Sequence, residues 1–219
     1  KDAQIARDRV VAARALSTFP APRRDYHAMT LTAQKRLSNR FALVANYTYS
    51  RLLGNYPGTF SPNNAQLDPN ISSQFDVVDL LKNRNGPLSN DRPHNLKLLG
   101  IYVQPVGRNG SLTASLTFTA YSGRPIDVIG TNPDGRAREV FILPRGSGGR
   151  TPMVTQLDAH LGYEHQLPKA LRLSVYADVI NLLNQRTVTN VDDEFTASAV
   201  LPILNGQPND LKRLQTADG

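Results

Sequence analysis

From Tyr26 onward the chain alternates between apolar and polar positions with a period of two. Between Leu157 and Leu167, the residues Leu157, Ala159, Leu161, Tyr163 and Leu167 share one side, broken only by His165; Gln156, Asp158, His160, Gly162, Glu164 and Gln166 share the other. Successive side chains of a strand point to opposite faces, so this segment reads as a strand with one greasy and one polar side. After Pro168-Lys169-Ala170, a second run sets Leu171, Leu173, Val175, Ala177 and Val179 against Arg172, Ser174, Tyr176 and Asp178, which completes a hairpin. Upstream, Met29, Leu31 and Ala33 alternate with Thr30, Thr32 and Gln34. A turn at Ser38-Asn39-Arg40 leads into Phe41, Leu43, Ala45, Tyr47 and Tyr49, set against Ala42, Val44, Asn46, Thr48 and Ser50. A third hairpin runs from His94 to Pro105, turns at Gly107 to Gly110 and continues through Leu112, Ala114, Leu116, Phe118 and Ala120. Its other side is Ser111, Thr113, Ser115, Thr117, Thr119 and Tyr121, a row of hydroxyls with no apolar core to enter.

The pattern predicts six strands of about ten residues or more, arranged as three hairpins. The connections within hairpins are short. Those between hairpins, Gly54 to Arg92 and Asp127 to Pro152, are long, and a third long segment follows Asn184. One end of the sheet therefore carries the tight turns and the other the long loops. A soluble sandwich also alternates, but its strands average five or six residues and it has no reason to sort its loops by length. A transmembrane barrel explains both features. Crossing the apolar layer takes about 9–11 tilted residues, the polar face lines the lumen, and turns are short on the periplasmic side and long outside. Tyr47, Tyr49, Tyr102, Tyr121 and Tyr163 fall towards strand ends, where an interfacial girdle is expected. Six strands cannot close such a barrel. Each open edge would leave on the order of five backbone groups unpaired in hydrocarbon at several kcal/mol apiece, more than a typical domain's stability of ~5–15 kcal/mol. The fold expected is an all-β, antiparallel up-and-down transmembrane β-barrel, of which these strands are a part.

Certain segments resemble a known family. Tyr26 to Ser38 (YHAMTLTAQKRLS) and Ala45 to Arg51 (ANYTYSR) are similar to the barrel of TonB-dependent outer-membrane receptors, in the Oar-like branch whose members often carry a carboxypeptidase-regulatory-like domain. So are Asn90-Asp-Arg-Pro-His-Asn95, Tyr121-Ser-Gly-Arg-Pro125, Gly149-Arg-Thr-Pro152, Leu157-Asp158 and Asp178 to Asn184 (DVINLLN), in that order. The resemblance implies a 22-stranded plugged barrel of which this is the C-terminal part. Residues 1–25 would be an extracellular loop or frayed segment, 26–186 six barrel strands with outer loops near 54–92 and 127–152, and 187–219 an outer loop leading to a missing last strand. It also implies an outer-membrane location in a Gram-negative bacterium with the long loops extracellular. The implied partners are outer-membrane lipid and lipopolysaccharide, the plug of the same protein, the TonB complex through an N-terminal part, and a small or oligomeric nutrient.

Composition changes this picture little. The chain has 219 residues, 40% hydrophobic and 20% charged, too apolar for disorder and too polar for a helical membrane protein. Cysteine is absent, which excludes disulfides, thiol catalysis and Cys-based zinc sites. The net charge of +7 is spread along the chain without a basic helix or block, so it reads as a solvated surface rather than a nucleic-acid interface.

Candidate chemistry is sparse. His160 and His165 are five apart, an odd spacing that puts them on opposite faces of a strand and off a shared metal; His94 reads as a rim hydrogen-bonding residue. Gly146-Ser-Gly-Gly-Arg150 lacks the Lys-Ser/Thr and helix of a phosphate loop and reads as a flexible outer loop. Asp68-Pro-Asn70 and Asp192-Asp-Glu194 lack the calcium-loop pattern and read as solvated turn acids. No Gly-x-Ser-x-Gly elbow is present, so no catalytic residue, cofactor or metal is assigned. The polar face offers the better site: Asn95, Lys97, Gln156, Asp158, His160, Glu164, Arg172, Tyr176 and Asp178 should point into the lumen as contacts to plug or ligand. Asp91, Arg92 and Arg124 sit at loop–strand junctions, where a charged pair would pin a loop base. Two alternatives share the alternation: a soluble β-sandwich or adhesin-like binding module, and an outer-membrane barrel serving surface assembly or adhesion.

Overall fold

The computed structural model describes residues 19–60, 75, 78–132 and 139–216. The segment from Lys1 to Arg14 and the Asp68-Pro-Asn70 turn lie outside the described residues.

Six long strands form one antiparallel sheet: β1 (Arg24–Ser38), β2 (Phe41–Gly54), β4 (His94–Val106), β5 (Gly110–Tyr121), β8 (Val154–Gln166) and β9 (Arg172–Val179), each paired to the next in that order. The turns are what the sequence requires. Ser38 pairs with Phe41 across Asn39 and Arg40, both at positive φ (50° and 68°), the two-residue left-handed turn that suits a twisted hairpin. Gly107 takes φ 65° in the β4–β5 turn; Lys169 and Ala170 take 62° and 59° in the β8–β9 turn.

The register aligns the alternation across all six strands. Directly opposed residues share a face, so Leu31, Tyr47, Leu96 and Ala120 form one continuous row, and Ala45, Leu98, Phe118 and Leu157 another. Nothing among the described residues packs on this face as a second layer. Leu161, Leu173 and Val175 are 51%, 52% and 61% exposed, so they do not enter a dry protein centre. β4 and β8 have 13 residues each. At ~3.3 Å per residue and a tilt of 35–45° they reach ~30–35 Å along a membrane normal, more than the ~25 Å apolar band of a barrel.

The hydrophobic core lies elsewhere. The long connections fold together at one end of the sheet, where Val128, Ile142, Leu143 and Val200 are buried, with Ile203, Leu211 and Leu214 packed against them. A small sheet organises this cap: β6 (Ile129–Thr131) pairs antiparallel with β7 (Val140–Phe141) and parallel with β10 (Glu194–Ala199). A further short strand, β3 (Gly86–Pro87), pairs with the end of β2 and joins the cap to the long sheet. The described parts of the long loops thus carry secondary structure and a core of their own, because their buried apolar residues find one another rather than the sheet.

One aromatic assignment is corrected. Tyr121 pairs with Asn95 and Val154, which puts it on the polar face, where the Arg92 guanidinium lies 4.9 Å from its ring centre. Tyr47, Tyr49, Tyr102 and Tyr163 are in phase with the apolar rows.

Candidate functional site: the loop cap and the polar face

The cap is fixed to the strand ends by buried charges. Asp91 lies three residues before β4 and its side chain is fully buried. One carboxylate oxygen accepts from the Leu52 N–H at 2.7 Å; the other pairs with the Arg150 guanidinium. Arg150 also donates to the carbonyls of Asp91 (2.7 Å) and Gly123 (3.2 Å), so one side chain gathers the bases of β4, β5 and β8. Gly123 permits this approach: a Cβ there would meet the Thr151 carbonyl oxygen at 1.7 Å. Arg124 pairs with Asp193 at 3.0 Å and donates to the Val191 carbonyl at 2.6 Å, tying the end of β5 to the segment after β9. Arg92 donates to the Ser122 carbonyl at 2.8 Å.

Asp91, Arg92 and Arg124 lie between the strands and the cap, and they do not pair with one another. Their partners, Arg150 and Asp193, come from segments read above as a flexible loop and as solvated acids. Both readings are corrected. Gly146 donates to the Asp127 carboxylate at 2.6 Å, Gly148 to the Ile126 carbonyl at 3.0 Å, and Asp193 is 2% exposed. A signal was present: Asp91, Arg124 and Arg150 each sit three or four residues from a strand end, at matching heights on neighbouring strands.

Deeper in the cap, Phe141 is 1% exposed, and the guanidiniums of Arg84 and Arg145 lie 5.0 and 4.5 Å from its ring centre. Arg84 donates to the Glu139 carbonyl at 2.6 Å. Burial pushes the Arg145 guanidinium below its ordinary value, and the Asp127 and Glu139 carboxylates pull it back up. The Asn83 amide, on a residue at φ 61°, donates to the carbonyls of Phe141, Ile142 and Ile203 at 3.0–3.1 Å and so joins three cap segments. Sequence reading missed Arg84, Asn83 and Glu139, because nothing periodic marks them.

On the polar face, the register puts Asn46, Lys97, Thr119 and Gln156 in one row, and Asn95 beside Thr48 and Tyr121. Along β8 and β9 the expected residues meet. Gln156 donates to Asp158 (2.9 and 3.0 Å), which also accepts from the Asn181 N–H at 2.8 Å. His160 Nδ1 is 2.6 Å from Asp178, and the His160 ring stacks on Tyr176 at 6.1 Å. Arg172 and Glu164 approach to 3.7 Å near the tight turn. His160 and Asp178 are half exposed, so the face is open to a ligand or a covering domain. His165 is on the other face beside Leu173, and His94 takes a rim hydrogen bond with Tyr47 Oη at 2.8 Å. The polar face also carries an unexpected apolar patch. Ala42 and Val44 oppose Ile101 and Leu99, with Val103 next along β4, so β4 is apolar on both sides.

Comparison with known proteins agrees with this geometry. The outer membrane beta barrel domain family matches residues 11–141. The TonB-dependent transporter Oar of Myxococcus xanthus is 39% identical over 196 residues, which is 90% of this chain and 18% of that protein. The chain thus spans about a fifth of the length of this relative. No solved structure matches.

Proposed function

This chain belongs to the outer membrane beta barrel domain family, and from that premise we propose that it is the C-terminal portion of a TonB-dependent receptor that captures a nutrient at the cell surface and imports it through a plugged barrel. The observation that carries the reading is the placement of apolar residues. The buried core lies in the loop cap, while the strands keep a continuous exposed apolar face tall enough for a membrane. In this reading the cap faces outward and the ion-paired loop bases hold the capture surface rigid. The polar face, with Gln156, Asp158, His160, Tyr176 and Asp178, meets plug and ligand. The edges of β1 and β9 receive the neighbouring strands of a larger, 22-stranded barrel. Outer-membrane lipid and lipopolysaccharide cover the apolar face, and the TonB complex acts through the N-terminal part of the full protein.

The test uses the full-length protein in its own cells. A strain lacking the gene is screened for lost uptake across peptides, sugars and iron chelates, then complemented with the wild type or with His160→Ala/Asp178→Ala. The expected result is that the wild type restores uptake of one class and the double variant restores it poorly at equal surface level. A strain that takes up every class normally but fails in surface assembly or adhesion would overturn the import reading in favour of the adhesion role.

A further inference from the structure

The apolar face is not uniform. Its rows alternate large and small side chains: Gly100 on β4 and Ala159 on β8 lie in one row, Ala114 on β5 and Ala177 on β9 in the next, so the small residues zigzag between two rows from strand to strand. Together they floor a shallow furrow of about 560 Å³ that crosses four strands. Tyr102 and Leu161 wall it towards the tight turns; Leu116 and Val179 wall it towards the cap. Three inter-strand spacings give it a length of ~14 Å. A membrane-facing wall needs no such channel, since large aliphatic residues would fill it.

The furrow's β2 end carries positive charge. Lys35 Nζ lies 5.4 Å from the centre of the Phe41 ring, which lines the furrow; it donates to the Ser38 carbonyl and Oγ (2.9 Å each) and the Phe41 carbonyl (2.7 Å), so it is held there as a fixed positive charge. Arg40 donates to Gln104 Oε1 at 2.8 Å, and that oxygen also accepts from Tyr102 Oη at 3.0 Å, so the guanidinium is held beside the furrow's tyrosine wall. Across the tight-turn rim stand Arg36, Arg108 and Lys169, and Arg172 with Glu164 3.7 Å from it; among the described residues no other acid stands at this rim. This edge is basic, whereas the cap pairs its cations with acids at Asp91, Glu139 and Asp193.

We propose that the furrow binds one anionic phospholipid of the periplasmic leaflet: an acyl chain lies along Gly100, Ala114, Ala159 and Ala177, and the phosphate sits against Lys35 and Arg40. The proposal rests on the reading above that the tight turns face the periplasm. Acyl methylenes gain contact with the channel floor that a flat wall would not give. Two cations near a membrane surface raise affinity for an anionic headgroup by about fivefold each.

The test is native mass spectrometry of the full-length protein in detergent with added phosphatidylglycerol, phosphatidylethanolamine or lipid A. Phosphatidylglycerol should be retained as a single equivalent, and Ala114→Leu/Ala159→Leu, which stays apolar, should abolish that retention. Lys35→Gln/Arg40→Gln should lower phosphatidylglycerol retention roughly 25-fold, to the level of phosphatidylethanolamine. Equal retention by the filled-furrow variant overturns the site, as does a second copy of the protein in place of lipid. Preference for lipid A also overturns it. If phosphatidylglycerol is not retained, whole-cell labelling of a cysteine at Asn109 or Asn209 separates the two failures: Asn109 reached from outside means that the orientation was wrong, whereas Asn209 reached from outside means that the orientation stands and the lipid site alone falls.

Discussion

Replacing Asp91 with alanine tests whether the cap is held by its buried ion pair. The carboxylate is wholly inaccessible and accepts from the Leu52 N–H and the Arg150 guanidinium, with the Arg51 guanidinium 4.0 Å away. Its loss orphans a buried backbone donor, which costs ~1–3 kcal/mol. Arg150 also loses its partner. Breaking a fully buried pair costs ~3–5 kcal/mol, but the Arg150 side chain is 31% exposed and regains water, so that part falls to ~1–2 kcal/mol. The net cost is about 3 kcal/mol, or about two powers of ten in the cap's opening equilibrium. Hydrogen exchange on the full-length protein in detergent reads this at the amides of Leu88, Ile126 and Thr151, which bond across the loop bases. They should exchange ~100-fold faster in Asp91→Ala, while amides in the β4–β5 ladder keep their protection. Asp91→Asn, which keeps an acceptor for Leu52, should show about a tenfold effect. Wild-type rates at the loop bases would refute the reasoning. So would simultaneous loss of protection in the ladder, which would mean that Asp91 supports the barrel rather than the cap.

Other expectations follow from single contacts. Gly123→Ala places a methyl 1.7 Å from the Thr151 oxygen, so the β5 and β8 bases must separate; protease should then cut the 122–152 connection while the strands survive. Phe141→Ala empties a buried site beneath two guanidiniums and should cost ~3–5 kcal/mol of cap stability, read by the same exchange experiment at Ile142. Leu161→Arg on the apolar face should lower folding stability in bilayers by ~2–4 kcal/mol, whereas Thr117→Arg on the polar face should change it far less, measured by urea titration of refolded full-length protein; equal costs would contradict the assignment of faces.

The strands were legible because their signal is local. Period-two alternation in β5, β8 and β9 needs no knowledge of distant residues, and the turns announce themselves through Ser38-Asn39-Arg40 and Gly107. From phase alone, the opposite faces of His160 and His165 also followed. β4 was less clear because Leu99, Ile101 and Val103 make its second face apolar as well. The cap was not legible. Asp91 and Arg150 are 59 residues apart, and Arg124 and Asp193 are 69 apart; each looks like an ordinary loop charge until the fold brings its partner. Val128, Ile142 and Val200 likewise come from three segments without shared periodicity. The sequence read as loops what packing turns into a small structured unit, since burial there is decided by tertiary contacts rather than by pattern.

The claim on which the account depends is that odd positions of β8 face lipid and even positions face the lumen. Because this stretch contains no cysteine, nitroxide labels can be placed singly at 156 to 163 in the full-length protein reconstituted in bilayers. Collision with oxygen, which concentrates in lipid, and with a water-soluble nickel chelate should alternate residue by residue. Oxygen should dominate at 157, 159, 161 and 163, and nickel or a buried signal at 156, 158, 160 and 162. Labels at 157 and 161 shielded from both reagents, or in contact with nickel alone, would contradict it.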